Sequence, residues 1–204
     1  MAAPSLWTMA PWLRKLGLAL HVVLSVGWLG AVTAFLVLAV ASFSQEPLLA
    51  RASYLGMAVV GRGALLPLSV GALVSGVVQA LGTQWGLLRH YWVLVKLVLT
   101  VFATAALFVH QATAINDAAR IAADAGWSLA HAGHLRQLGV QLLADSGLAT
   151  LVLLATTLIA VYKPWGTVGQ LTRSLRFFLA GVAALVVAFV LLHLSGRSPH
   201  QHRH

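Results

Sequence analysis

The chain contains no cysteine. That excludes disulfides, thiolate metal sites, iron–sulfur clusters and the Cys-x-x-Cys-His attachment of c-type haem. Charge is almost as scarce. Only 8% of the 204 residues are Asp, Glu, Lys or Arg, against about 25% in an average soluble domain. Four are acidic: Glu46, Asp117, Asp124 and Asp145. Paired carboxylates, phosphate-binding glycine loops and nucleophile–base constellations are missing from the pattern, so an enzyme is the least supported class.

What is present is apolar. Hydrophobic residues make up 60% of the chain, more than a soluble fold has polar surface to cover. Soluble and disordered classes fall away, and an integral membrane protein remains. The net charge of +9 would point to nucleic acid in a soluble protein. Here the basic residues flank apolar runs and read as anchors at the membrane surface, with the lipid bilayer as the partner and no nucleic acid.

Five apolar segments are legible, over about 13–43, 58–81, 91–115, 146–162 and 175–195, each near or above the roughly 20 residues that span a bilayer. The expected fold is therefore an all-α integral membrane protein. Four core transmembrane helices form a bundle, with a fifth C-terminal transmembrane helix. The whole of 1–195 reads as one domain. The first run is too long for a signal h-region and reads as a permanent helix. Trp12, Trp85, Trp92 and Trp165 fall at helix ends, where amphipathic rings prefer the interface. Within 116–145, His131, Leu135, Leu138 and Leu142 recur at helical spacing, which predicts a short amphipathic helix on the outer surface. Residues 196–204 form a His-rich solvated tail. With the N-terminus inside, Arg14, Lys15, Arg89, Lys163, Arg173 and Arg176 gather on the inner side, which sets the expected orientation.

Ionisable residues inside spans are costly, and each is a functional-site hypothesis by default. They are His21, Arg62, Lys96, His110 and His193, with His90 at a boundary. No Asp or Glu is expected inside a span, which counts against a transporter with a carboxylate relay. Lys96, Thr100, Ala103, Leu107 and His110 form one stripe, flanked by Thr104 and Gln111, that should face the bundle interior. His90 stands 20 residues before His110, about 30 Å along a helix, so the two cannot bind one centre. Gly27 and Ala31, like Gly71 and Ser75, supply small-residue contacts, within the chain or in a homodimer. Pro67 should kink the second helix.

Imidazoles projecting from a helical bundle are ligands for b-type haem, and Arg or Lys near the interface can pair its propionates. An outer haem site would use His110, with His193 as second ligand and Arg62 at the propionates. An inner one would use His21, with His90 as partner and Lys96 nearby. Two such sites would suit electron transfer, with a redox or accessory protein as partner. Each residue has a plainer reading: His90 and His193 as interfacial side chains, Arg62 and Lys96 as snorkelling cations, His21 and His110 as interhelical hydrogen bonders. A small permease and a non-catalytic accessory subunit stand beside the haem reading. His131 and His134 supply two nitrogens, too few for a metal site.

Three strings carry a family resemblance: Leu20-His21-Val22-Val23-Leu24-Ser25-Val26-Gly27-Trp28-Leu29-Gly30-Ala31, then Gly86-Leu87-Leu88-Arg89-His90-Tyr91-Trp92-Val93-Leu94-Val95-Lys96, then Val161-Tyr162-Lys163-Pro164-Trp165-Gly166. In this order and spacing they resemble an uncharacterised family of small bacterial integral membrane proteins, over roughly residues 13–167. More distantly, the first helix is similar to copper-resistance D-type and membrane haem proteins. The resemblance implies the bacterial inner membrane and no particular activity. The chain departs from the family pattern at Asp145, where the fourth helix of the family begins with His.

Overall fold

The structure is a computed structural model that describes residues 9–83, 85–124, 129–167 and 181. Four long helices account for almost all of it. Helix α1 is Pro11–Ala41 and α2 is Pro47–Leu81. Helix α3 is Tyr91–Ala123 and α4 is Leu129–Tyr162. No strand is formed among the described residues. Of the expected fifth span only residue 181 is described, and His193 and the tail lie outside the described residues.

Each helix is long and apolar enough to cross a membrane. The 31 residues of α1 rise about 46 Å, beyond the ~30 Å hydrocarbon core of a bilayer. The exposed faces are consistent with contact with a lipid bilayer. Val22, Val23, Val26 and Val37 of α1, Val98 and Val101 of α3, and Leu151 and Leu158 of α4 all point outward. In water such continuous apolar faces would be an association surface; in a bilayer they meet acyl chains. The chain is a multi-pass membrane protein by this measure.

The inward faces follow the helical period. On α1 the buried residues are Trp28, Val32, Phe35 and Ala39. They pack with Met57, Leu65 and Ala72 of α2, Ile115, Ala118 and Ala122 of α3, and Leu135, Leu138, Leu142 and Leu153 of α4. Helices α1 and α2 approach closely because leucines seat on glycines: Leu24 on Gly71 and Leu68 on Gly27. This is the role of the small residues seen in the sequence, inside one chain.

Two expectations change. The surface helix within 116–145 does not form. Residues up to 123 continue α3, and residues from 129 onward belong to α4. Its apolar stripe, Leu135, Leu138 and Leu142, is buried in the bundle. The reason is a better partner than the headgroups: the Tyr54 hydroxyl donates to the Leu135 carbonyl at 2.8 Å. The second span begins at Pro47 rather than 58, with proline at the first helical turn. Arg51 does not interrupt it, because its guanidinium donates to the Ala123 carbonyl at 2.9 Å, capping α3. Near Pro67, where the sequence predicts a kink, the helix carries a π turn, Gly61–Leu65, an insertion that commonly accompanies kinks. A second π turn, Gln111–Ile115, interrupts α3, and the two turns touch each other.

The inward and outward faces make opposite predictions for one added branch. Ala39 is 0% exposed and Val37 is 62% exposed. Ala39→Leu overpacks the core and should cost about 1–3 kcal/mol, lowering the thermal midpoint in detergent. Val37→Leu should leave it unchanged. Equal midpoints for the two variants would contradict this packing.

Candidate functional site

The ionisable residues of the spans sort into three groups. The first lies between α3 and α4. His110 is the last residue before the π turn of α3, and Asp145 lies on α4 inside its apolar span. His110 Nε2 is 3.3 Å from Asp145 Oδ2, with side chains 8% and 15% exposed. This overturns the expectation of spans free of carboxylates. The signal was in the sequence. Leu135, Leu138, Leu142, Asp145, Ala149 and Leu153 are spaced three or four apart, so Asp145 belongs to the inward stripe of one continuous helix.

A cavity of about 80 Å³ adjoins the pair. Trp28, Phe35, Leu65, Leu107 and Ala149 line it together with His110 and Asp145. Two buried atoms here make no hydrogen bond: Trp28 Nε1 and Asp145 Oδ2, the latter close to His110 without the alignment of a full bond. Buried polar atoms are ordinarily satisfied, so such orphans mark a place where a group is missing.

Next to the pair, the two π turns are clipped together. Arg62 donates to Asn116 Oδ1 at 2.6 Å, and Gln111 Nε2 donates to the same oxygen at 3.1 Å. The Gln111 carbonyl oxygen rests where a side chain on residue 61 would lie, so Gly61 is needed for the approach. Arg62 itself is exposed and its guanidinium is engaged at Asn116. The stripe read on the third helix does turn inward at His110, Gln111 and Thr104, all buried, while Lys96 and Thr100 are half-buried.

The second group is nearer the N-terminal end of α1. His21 Nδ1 is 3.0 Å from Ser75 Oγ, and Ser75 Oγ donates to the Gly71 carbonyl at 2.6 Å. With the Ser75 hydroxyl directed at Gly71, its oxygen is placed to accept from Nδ1 of His21. The ring lies against Gly76, where a Cβ would stand 3.0 Å from its Cε1. Lys96 lies within electrostatic range of the ring.

The third group joins the second and third family-like strings. His90 Nδ1 donates to the Trp85 carbonyl at 2.7 Å. Its ring packs edge-on to Trp85 at 5.3 Å, and Lys163 Nζ stands 4.6 Å over the Trp85 ring. His90 also forms an isolated bridge with Thr167. Lys163 adopts φ 45°, the left-handed conformation that ends α4 before Pro164. Trp165, expected at the interface, is 7% exposed and packs on Val95, Leu99 and Ile159. His90 therefore serves a structural clasp.

The residues were tested against haem at His110. Cofactor sites have volumes of roughly 300–1,000 Å³, well above the cavity here. The Nε2 nitrogen is turned to Asp145, and Arg62 is held by Asn116. A haem does not fit at His110 in this arrangement. Among the described residues no three His, Asp or Glu side chains converge as a metal site. No family model, curated protein or solved structure matches the chain.

A double-mutant cycle reads the coupling of the pair. Asp145→Leu or His110→Leu alone leaves one buried ionisable group without its partner and should cost about 3 kcal/mol. The double variant should recover most of that loss in thermal unfolding. Additive losses would show that the two side chains do not interact.

Proposed function

We propose that the protein is a small membrane permease in which the His110–Asp145 pair is the proton-binding site. The observation that carries this reading is the pair itself: an imidazole and a carboxylate 3.3 Å apart, both largely buried, within membrane-spanning helices. Carboxylate and histidine placed together at such depth are the elements of proton relays in pumps and transporters. The cavity beside them supplies space for a solute or water to meet the proton site. The π turn adjoining His110 is a further support, because such turns are frequent at functional sites. In this reading the chain sits in the bacterial inner membrane with its N-terminus cytoplasmic, at the end where Arg14, Lys15, Arg89 and Lys163 gather.

A second reading is b-type haem held by His21 for electron transfer. It is favoured by the ring geometry, in which Ser75 braces Nδ1, as a hydrogen-bond partner braces a ligating histidine. Lys96 would stand near a propionate.

Infrared difference spectroscopy of the purified protein separates the two. The permease reading expects one carboxylic C=O band that titrates with pH, is absent in Asp145→Asn and is displaced in His110→Phe. A carboxyl that keeps one protonation state from acid to alkaline pH removes it. The haem reading expects a Soret band that is lost in His21→Ala, and a colourless protein that takes up no added haemin ends it.

A further inference from the structure

The cavity beside His110 and Asp145 is not sealed evenly. Its floor residues Trp28, Phe35, Leu65 and His110 are buried, whereas Phe102 and Ala106 on α3 and Leu148 and Val152 on α4 are half-exposed. Just outside them Val101 and Leu151 face the lipid, 46% and 64% exposed. The cavity is therefore the inner end of a crevice between α3 and α4 that opens sideways into the acyl-chain region. Its walls are apolar, and its two orphan polar atoms lie among the residues at its inner end.

The chemistry of that inner end restricts the guest. The indole N–H of Trp28 donates only, so it calls for an acceptor. Asp145 Oδ2 accepts when ionised and can donate when protonated. A hydroxyl oxygen satisfies both atoms beside an ionised carboxylate, and a carbonyl oxygen satisfies both beside a protonated one. A wholly apolar guest would leave the buried Trp28 N–H unpaired and Asp145 Oδ2 with no partner but the contact to His110. Size adds a second restriction. A cavity of about 150 Å³ takes a benzene ring, so the 80 Å³ here takes a tip of about three or four heavy atoms. The remainder of the molecule must lie in the crevice and the lipid.

We propose that this crevice is a lateral binding site for a membrane-dissolved molecule with an apolar body and one hydroxyl or carbonyl oxygen at its tip, of the long-chain alcohol or quinone type. The oxygen accepts from Trp28 Nε1 and meets Asp145. This deepens the permease reading, on which it rests, by naming the route of entry as the bilayer and the solute as lipid-soluble.

The test is photolabelling of the full chain in lipid nanodiscs with an octanol that carries a diazirine next to its hydroxyl. Adducts should concentrate at the inner end, on Trp28, 107–110 and 145–149. Excess octanol or a short-chain alkyl quinone should compete, and octane should not. The two competitors tell an alcohol-type guest from a quinone-type one. Trp28→Phe should reduce labelling about fivefold, the effect of one lost hydrogen bond, and Val152→Trp should abolish it by blocking the mouth of the crevice. Labelling spread evenly over lipid-facing helices, or competition by octane equal to that by octanol, overturns the proposal. So does labelling that needs removal of 168–204, since the crevice would then belong to the chain's own C-terminal segment. The Asp145 infrared band is a separate readout. Val152→Trp, at the mouth and two turns from Asp145, should lose the label and keep the titrating band, so failure of the binding site and failure of the proton site are told apart.

Discussion

In a bilayer the hydrophobic effect does not press helices together, because lipid tails are as apolar as leucine. Association has to come from close packing and from hydrogen bonds that cross between helices. Each helix of this protein is tied to a neighbour by such a bond. His21 and Ser75 join α1 to α2, and Gln79 adds a second tie to the Arg14 carbonyl. Tyr54 joins α2 to α4. Arg51 and the Arg62–Asn116–Gln111 clip join α2 to α3. His110 and Asp145 join α3 to α4. Few polar residues are spent on the lipid-facing surfaces, and those inside are concentrated where one helix must recognise another.

The same economy explains what sequence reasoning could reach. Four long apolar helices are dictated by composition and length, since no other element satisfies its own backbone in hydrocarbon. The inward turn of His110 and Gln111 was visible as a stripe. The clip at Arg62 was not, because it depends on Asn116 lying one turn beyond a π turn, and nothing in the local pattern announces that insertion. The third and fourth helices were read too short for a related reason. Asn116, Asp117, Arg120 and Asp145 depress the hydropathy of the windows that contain them. Helical spacing, rather than mean hydropathy, carries the missing information for Asp145.

The two histidines that face a neighbouring helix have different partners. At His21 the partner is a serine hydroxyl, which fixes the orientation of the ring. At His110 the neighbour is a carboxylate, which can share a proton. The sequence offered both as equivalent imidazoles on apolar helices. What separates them is the partner on the facing helix, and the partner is set by the packing of α1 on α2 and of α3 on α4. Trp28 follows His21 by seven residues, about 10 Å along α1, so one helix contributes to both layers.

The π turn of α3 holds one residue more than an α turn of the same function, so the two halves of the helix are rotated relative to each other by about 100°. Ordinary α turns from His110 would carry the inward line through positions 117 and 121. The inward residues are instead Ala118 and Ala122, while Asp117 is exposed beside Arg120. One inserted residue thus works as a phase shifter. It lets a single helix keep an imidazole in the bundle and, two turns later, deliver a carboxylate to the outside.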